Sequence, residues 1–467
     1  MNELNDETVF DFTYAPGISQ EQIIGFEMAG AVWSSHLQDN TTIRIHVEST
    51  DELPNNLLGA ALPGKKEKID YEKLWKKMSE DVTSDNDVLA FANLPSREKE
   101  FEVLFEGVEL DKTKEFRLTN ANAKALDLLD DDRKKLDGYI VVNDLAGSSA
   151  VGWDYDSLRN SEIAENNVDF LSVAMHEIGH VLGFVSGIDD DGWLKVLTES
   201  REKGKEIKDD AFKFASPLDL FRYSNASGQN KLDISTGGNP FFSIDGGNTN
   251  LGNFANGEHI EFGGDGYQAS HWRQNSSLGI MNPMLPTGER KNISDLDLTA
   301  IDVVGWDIDG SVSIDWQTLY QNALNNVETA IIEDRTKDIE KMVKESQYDG
   351  RRSRSSSRSY YSFQHGLWQT TILEESGSSE ETGSSGFSED QKYWFDPLAV
   401  MNQFDIDIEL NSNVDPDYSP SNSDDLLVNE DEISDSQSED AVLLKESSEE
   451  VEPSNEDLLF PSLLTSP

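Results

Sequence analysis

Along the first 300 or so residues the spacing of hydrophobic positions switches between a period of two and a period of 3.6. Phe10 to Tyr14 alternates like a short strand, and Pro16-Gly17 ends it. Ser19 and Gln22 stand at capping-box spacing ahead of Ile23, Phe26, Ala29, Trp33 and Leu37. These five form one stripe at helical spacing, which predicts a core helix. Thr41 to Val47 and Tyr139 to Leu145 read as strands, with helical stretches near 70–82, 84–93 and 119–130. Further on, Leu218 to Tyr223 and Phe241 to Gly247 read as short strands and turns, followed by glycine-rich loop. Ser294 caps a helix from Asp295 to Val304 that presents Leu298, Ile301 and Val304 on one face, and Gly305-Trp306 closes it. The pattern predicts an α+β protein with a mixed, twisted sheet. Tyr139 to Leu145 reads equally as an edge strand open to an extended peptide by strand addition and as an ordinary internal strand.

The stretch from Val168 to Gly187 is the most informative. Phe170, Val173, Ala174, Ile178, Val181 and Leu182 recur at helical spacing, Asn166, Asn167 and Asp169 are available as caps, and Gly183 can end the helix. Within it lies His176-Glu177-Ile178-Gly179-His180. Four residues advance a helix by about 400°, which leaves His176 and His180 roughly 40° apart on one face, about 6 Å along the axis. Two imidazoles so placed can hold one cation. Zinc suits them, because a catalytic zinc takes three protein ligands and an open position for water. Glu177 follows the first histidine, where its carboxylate can accept a proton from that water and pass it to a leaving amine. With 7 histidines in 467 residues, a chance His-Glu-x-x-His is expected on the order of once in a hundred such chains.

Charge and composition narrow the partners. The formal net charge of -52 argues against nucleic acid and against an anionic membrane surface, both of which call for clustered Lys and Arg. No apolar run reaches the length of a membrane span, so no membrane insertion is expected. The absence of cysteine excludes disulfides and a thiolate that could mask a metal. The amino end is acidic where a secretory signal would be basic and then apolar, so a soluble protein is expected, cytoplasmic or exported by a leaderless route. The partner that the metal and general-base chemistry of His176, Glu177 and His180 calls for is a protein or peptide substrate.

The third ligand has several candidates. Ser186 occupies the position where a compact His-Glu-x-x-His-x-x-Gly-x-x-His pattern would place it. Asp189, Glu199, Glu202, His259 and His271 remain. His46 lies in strand-like sequence and reads as a sheet residue. Asp189-Asp190-Asp191 with Gly192 could hold Ca2+, but the EF-hand spacing is missing and a solvated turn is expected. His271, in Ser270-His271-Trp272, precedes Gly279-Ile280-Met281-Asn282-Pro283 by a few residues. A ligand histidine followed by a tight turn bearing methionine is how metzincins place a polarisable floor under the metal.

These motifs together, HEIGHVLGF, a long insertion, SHW, GIMNP and SDLDLTAIDVVGW, resemble the leishmanolysin-type metzincins. FTYAPG, LDLFRY, FSIDGG and QASHW, at Phe12 to Gly17, Leu218 to Tyr223, Phe242 to Gly247 and Gln268 to Trp272, resemble more closely a bacterial metalloprotease group found in cyanobacteria among others. The resemblance covers about residues 10–308. It implies a two-lobed zinc endopeptidase with His176, His180 and His271 as metal ligands, Glu177 as general base and Met281 beneath the site. Two features depart from the best-known members: Ser186 replaces the nearby histidine, and no tyrosine follows the methionine turn.

The implied organisation is a catalytic domain over 1–310, divided into lobes at about 1–182 and 183–310. A helical and mixed extension over 311–400 and an acidic tail over 401–467 follow. Ser313 to Gln347 predicts one long amphipathic helix, Arg351 to Arg358 a basic linker, and His365 with Trp368 a brief aromatic segment, as at Tyr393 to Phe395. From 351 to 467 there are 6 basic and 26 acidic residues, a net of -20, which predicts disorder. From a different functional class, a catalytically silent zinc protein acting through its acidic tail is the alternative. A zinc site completed by Glu199 or Glu202 is a further one.

Overall fold

Gly138-Tyr-Ile-Val-Val-Asn143 is buried at every position, which is the signature of a strand covered on both faces. It is the centre of the main sheet. The structure, a computed structural model, describes residues 8–51, 53, 57–95, 103–110, 115–130, 135–145, 151–208, 215–274, 278–346 and 368–373. The expectations at 351–358, His365, 393–395 and the acidic tail lie outside them.

The sheet is built from β1 (Val9–Tyr14), β2 (Thr42–Thr50), β3 (Leu57–Pro63), β4 (Gly138–Asn143), β5 (Met284–Pro286), β6 (Ile331–Ile332) and β7 (Trp368–Leu373), in the order β5-β7-β3-β4-β2-β1-β6. β4, β2, β1 and β6 run parallel, while β3 is antiparallel to β4 and to β7. The strand expected at 139–145 is therefore internal, paired with β2 on one side and β3 on the other. Its unbroken apolar run reflects that double burial.

Alternate residues of β4 serve two cores. Ile140 and Val142 face α1 (Gln20–His36) and α2 (Phe170–Leu182). Tyr139 and Val141 pack with Ile339, Met342 and Val343 of the helix Thr336–Ser346. Helices thus cover both faces, and the sequence between 313 and 347 forms two helices, Trp316–Thr329 and Thr336–Ser346, in place of the single one expected. The interruption is β6, which extends the sheet beyond β1.

The Ser19–Gln22 capping box opens α1, with both reciprocal hydrogen bonds present. Gly25 brings α1 against α2: a Cβ there would lie 2.4 Å from the Phe170 ring. The Trp33 indole donates to the Met175 carbonyl at 2.9 Å, and that of Trp306 donates to Leu182 at 2.8 Å, so two tryptophans fasten α2 to its surroundings.

Residues 215–274 and 278–310 are mostly irregular, with short strands at 222–223, 241–242 and 252–253 forming a small sheet. Of the short strands and turns expected at 218–223, Pro217–Phe221 is a 3-10 turn, with proline at its first position, and Arg222–Tyr223 a short strand. Phe184, Phe242, Phe254 and Trp272 pack together beneath it, with Phe184–Trp272 ring centroids at 4.9 Å and Phe254–Trp272 at 5.1 Å. Among the described residues no helix is long and apolar enough to cross a membrane.

Candidate metal centre

Asp169 caps α2 through the Ser172 N–H, and Gly183 ends it at φ 125°, a conformation that side chains rarely adopt. Between these ends His176 and His180 project from one face, as their spacing dictates. His271 reaches the same point from 91 residues beyond His180. The three Nε2 atoms are separated by 3.0, 3.2 and 3.3 Å, and all three rings are buried. They form a group able to hold one metal ion.

The donor set passes a geometric test. Three nitrogens at 2.0–2.1 Å from a tetrahedral zinc stand roughly 3.3 Å apart, close to the separations observed. Each Nδ1 meets a backbone carbonyl: His176 that of Ile280 at 2.8 Å, His180 that of Phe184 at 2.8 Å, and His271 that of Gln268 at 3.2 Å. With Nδ1–H donating outward, each ring turns its Nε2 lone pair inward. Burial pushes the His176 imidazole down to about 4, and burial together with the neighbouring His176 and His271 holds His180 well below the usual histidine range. Both are therefore neutral, the form that ligates metal.

Met281 lies under the group. A Cβ on Gly179 would fall 2.5 Å from its Sδ, so the glycine inside His-Glu-x-x-His gives the thioether its place. The turn carrying Met281 and the segment carrying His271 are bonded to each other, Trp272 N–H to the Met281 carbonyl at 2.9 Å. On its other side the His271 carbonyl accepts from Ala255 at 2.9 Å.

Glu177, fully buried, projects toward β3. Its Oε1 lies 3.0 Å from where a Cβ on Gly59 would stand, so β3 passes directly across the carboxylate, and only glycine fits there without displacing it.

The other third-ligand candidates lie elsewhere. Asp189 accepts the N–H groups of Ala269 at 2.6 Å and Glu258 at 3.0 Å, and so braces the segment leading to His271. Glu199 and Glu202 sit on the helix Asp191–Lys203, Glu199 pairing with Lys205 at 3.1 Å. His259 faces Glu261 at 3.4 Å, and His46 is buried in β2 with Nδ1 2.9 Å from the Thr13 hydroxyl. Ser186 donates to Asp219 at 2.6 Å. Asp190 caps the helix after the acidic turn, so that turn has a structural part.

Two buried carboxylates not singled out by spacing support the centre. Asp219 also accepts from the Gly187 and Ser216 N–H groups at 2.9 and 2.7 Å, shaping the exit from α2. Asp297, in the first turn of α3 (Asp295–Val303), accepts from the Trp272 indole at 2.7 Å and from Ile280, Ser294 and Met281 N–H groups at 2.8, 2.8 and 3.3 Å. Both stand in Ser-x-x-Asp sequences, where the spacing announces a cap but not the loops that come to it.

No family model matches the chain, and neither the curated proteins nor the solved structures contain a match to it.

Proposed function

We propose that the protein is a zinc-dependent endopeptidase of the metzincin type, leishmanolysin-like in the distance between its second and third histidines. The observation that carries this is the convergence of three buried imidazoles from two distant segments, with Glu177 one residue from a ligand and Met281 beneath. Zinc held there supplies a Lewis acid and brings the pKa of a bound water toward neutrality. Glu177 takes the proton of the attacking water and returns it to the departing amide nitrogen. Its burial beside β3 keeps bulk water from competing for that proton. His271 completes the ligand set from the second segment, and the Nδ1 hydrogen bonds keep all three rings in the ligating tautomer.

The test is Glu177→Gln. This variant is expected to retain one equivalent of zinc and to hydrolyse unfolded casein about 10²- to 10⁴-fold more slowly than the parent, the usual worth of general acid–base catalysis. Equal rates would refute the mechanism. Zinc binding by a parent with no chelator-sensitive hydrolysis of any peptide would instead indicate a catalytically silent metal protein.

A further inference from the structure

Apart from Pro63 at its end, β3 carries no charge and no proline of the kind that protects an exposed sheet edge. Leu57-Leu-Gly-Ala-Ala-Leu-Pro63 has no charge and is buried throughout, and small residues at 59–61 leave room for a neighbour. The neighbour is β7, which arrives from more than 300 residues later in the chain. It lies antiparallel to β3 and parallel to β5, and it is the strand that joins the two. β5 begins just after the Met281 turn, so β7 spans from the segment beneath the metal group to the strand above Glu177.

The register places it at the reacting level. Trp368, Gln369 and Thr370 stand opposite Ala61, Ala60 and Gly59; the register then skips Leu58, and Thr371 stands opposite Leu57. Gly59 is the residue whose backbone crosses Glu177. A backbone paired there occupies the path of any extended peptide presenting a bond to that carboxylate.

We infer that the gap between β3 and β5 is a binding slot for one extended peptide strand, and that Trp368–Leu373 is its resident occupant, keeping the chain latent. This rests on the peptidase reading for its consequence but not for its geometry. Substrates are then peptides that add as a strand, read through main-chain hydrogen bonds, and they compete with the chain's own segment.

The absence of cysteine permits a direct test. Opposed residues of antiparallel strands have Cα atoms about 4.5–5.5 Å apart, within disulfide range. Ala60→Cys with Gln369→Cys, register partners, is expected to cross-link within one chain on oxidation, seen by mass and by gel mobility. Casein hydrolysis is expected to fall about tenfold or more in the linked form and to return on reduction with a phosphine. Gln369→Pro with Thr370→Pro directs one imino nitrogen toward each neighbouring strand. It is expected to hydrolyse casein about tenfold faster than the parent, and added peptide Trp-Gln-Thr-Thr-Ile-Leu to inhibit it. Failure to cross-link while both single-cysteine chains remain labelable would overturn the slot assignment, and a cross-link that leaves hydrolysis unchanged would overturn latency. A cross-link in a chain that hydrolyses nothing in either state keeps the strand slot and refutes the peptidase reading.

Discussion

Asp297→Asn is the substitution whose effect follows most closely from the geometry. Each carboxylate oxygen accepts from two N–H groups, the Trp272 indole and Met281 on one, Ile280 and Ser294 on the other. An asparagine has only one acceptor oxygen, so its NH2 group must face two donors. A buried donor left without an acceptor costs about 1–3 kcal/mol, so two give about 2–6 kcal/mol. Relief of the carboxylate's desolvation offsets part of this, since burial holds Asp297 above the ordinary carboxylate range despite its hydrogen bonds. The net loss is put at about 2–4 kcal/mol, or roughly 3–6 °C in Tm for a folded body of this size. The orphaned groups flank His271 and Met281, so zinc affinity is expected to fall about 10- to 100-fold, as for other groups that orient metal ligands. The control is Asp295→Asn, which removes the same charge from the same helical turn at an exposed position. Affinity is measured by competition with a fluorescent chelator and Tm with and without zinc. If both variants bound zinc within twofold of the parent, Asp297 would not hold the centre together.

Two further expectations concern packing and pH. Gly179→Ala places a methyl group 2.5 Å from Met281 Sδ and is expected to cost about 1–3 kcal/mol in denaturant unfolding of the zinc-free protein, with Met281→Ala in the same chain recovering part of the loss. Burial, then the neighbouring Asp307, Asp39, Asp87 and Asp127 carboxylates, push Asp81 up to about 8. A carboxyl raised on folding contributes stability while protonated and loses it as pH rises from its unfolded value, near 4, through about 8. Asp81→Asn is therefore expected to raise Tm by about 1–2 °C at pH 8, the equivalent of about 1 kcal/mol after discounting for partial exposure, and to leave it nearly unchanged at pH 5. A larger gain at pH 5 than at pH 8 would invert the assignment.

The elements legible in the sequence are those whose local signals agree with their burial. The capping boxes at Ser19 and Ser294, the Asp169 cap and the Gly183 stop mark helices whose ends fall within a residue or two of where they were expected. The metal group was legible because helical spacing alone aligns His176 with His180, and the methionine turn points to His271. β3 went unseen because Leu-Leu-Gly-Ala-Ala-Leu has neither alternation nor β-branched residues; its extended form depends on partners on both sides. At 139–145 the internal reading holds and the edge reading does not, since an apolar run reports burial, and burial belongs to a central strand. The break at Ile331–Ile332 is likewise a pairing effect, set by β1 more than 300 residues away.

The central claim is that His176, His180 and His271 together hold one divalent ion. Titration of the chelator-stripped protein with zinc is the most direct measurement, made on the parent and on His271→Ala. One equivalent is expected to bind to the parent, and affinity in the variant to fall by about 100-fold or more with loss of a ligand. Undiminished binding in His271→Ala, or a parent that takes up no zinc, would contradict it.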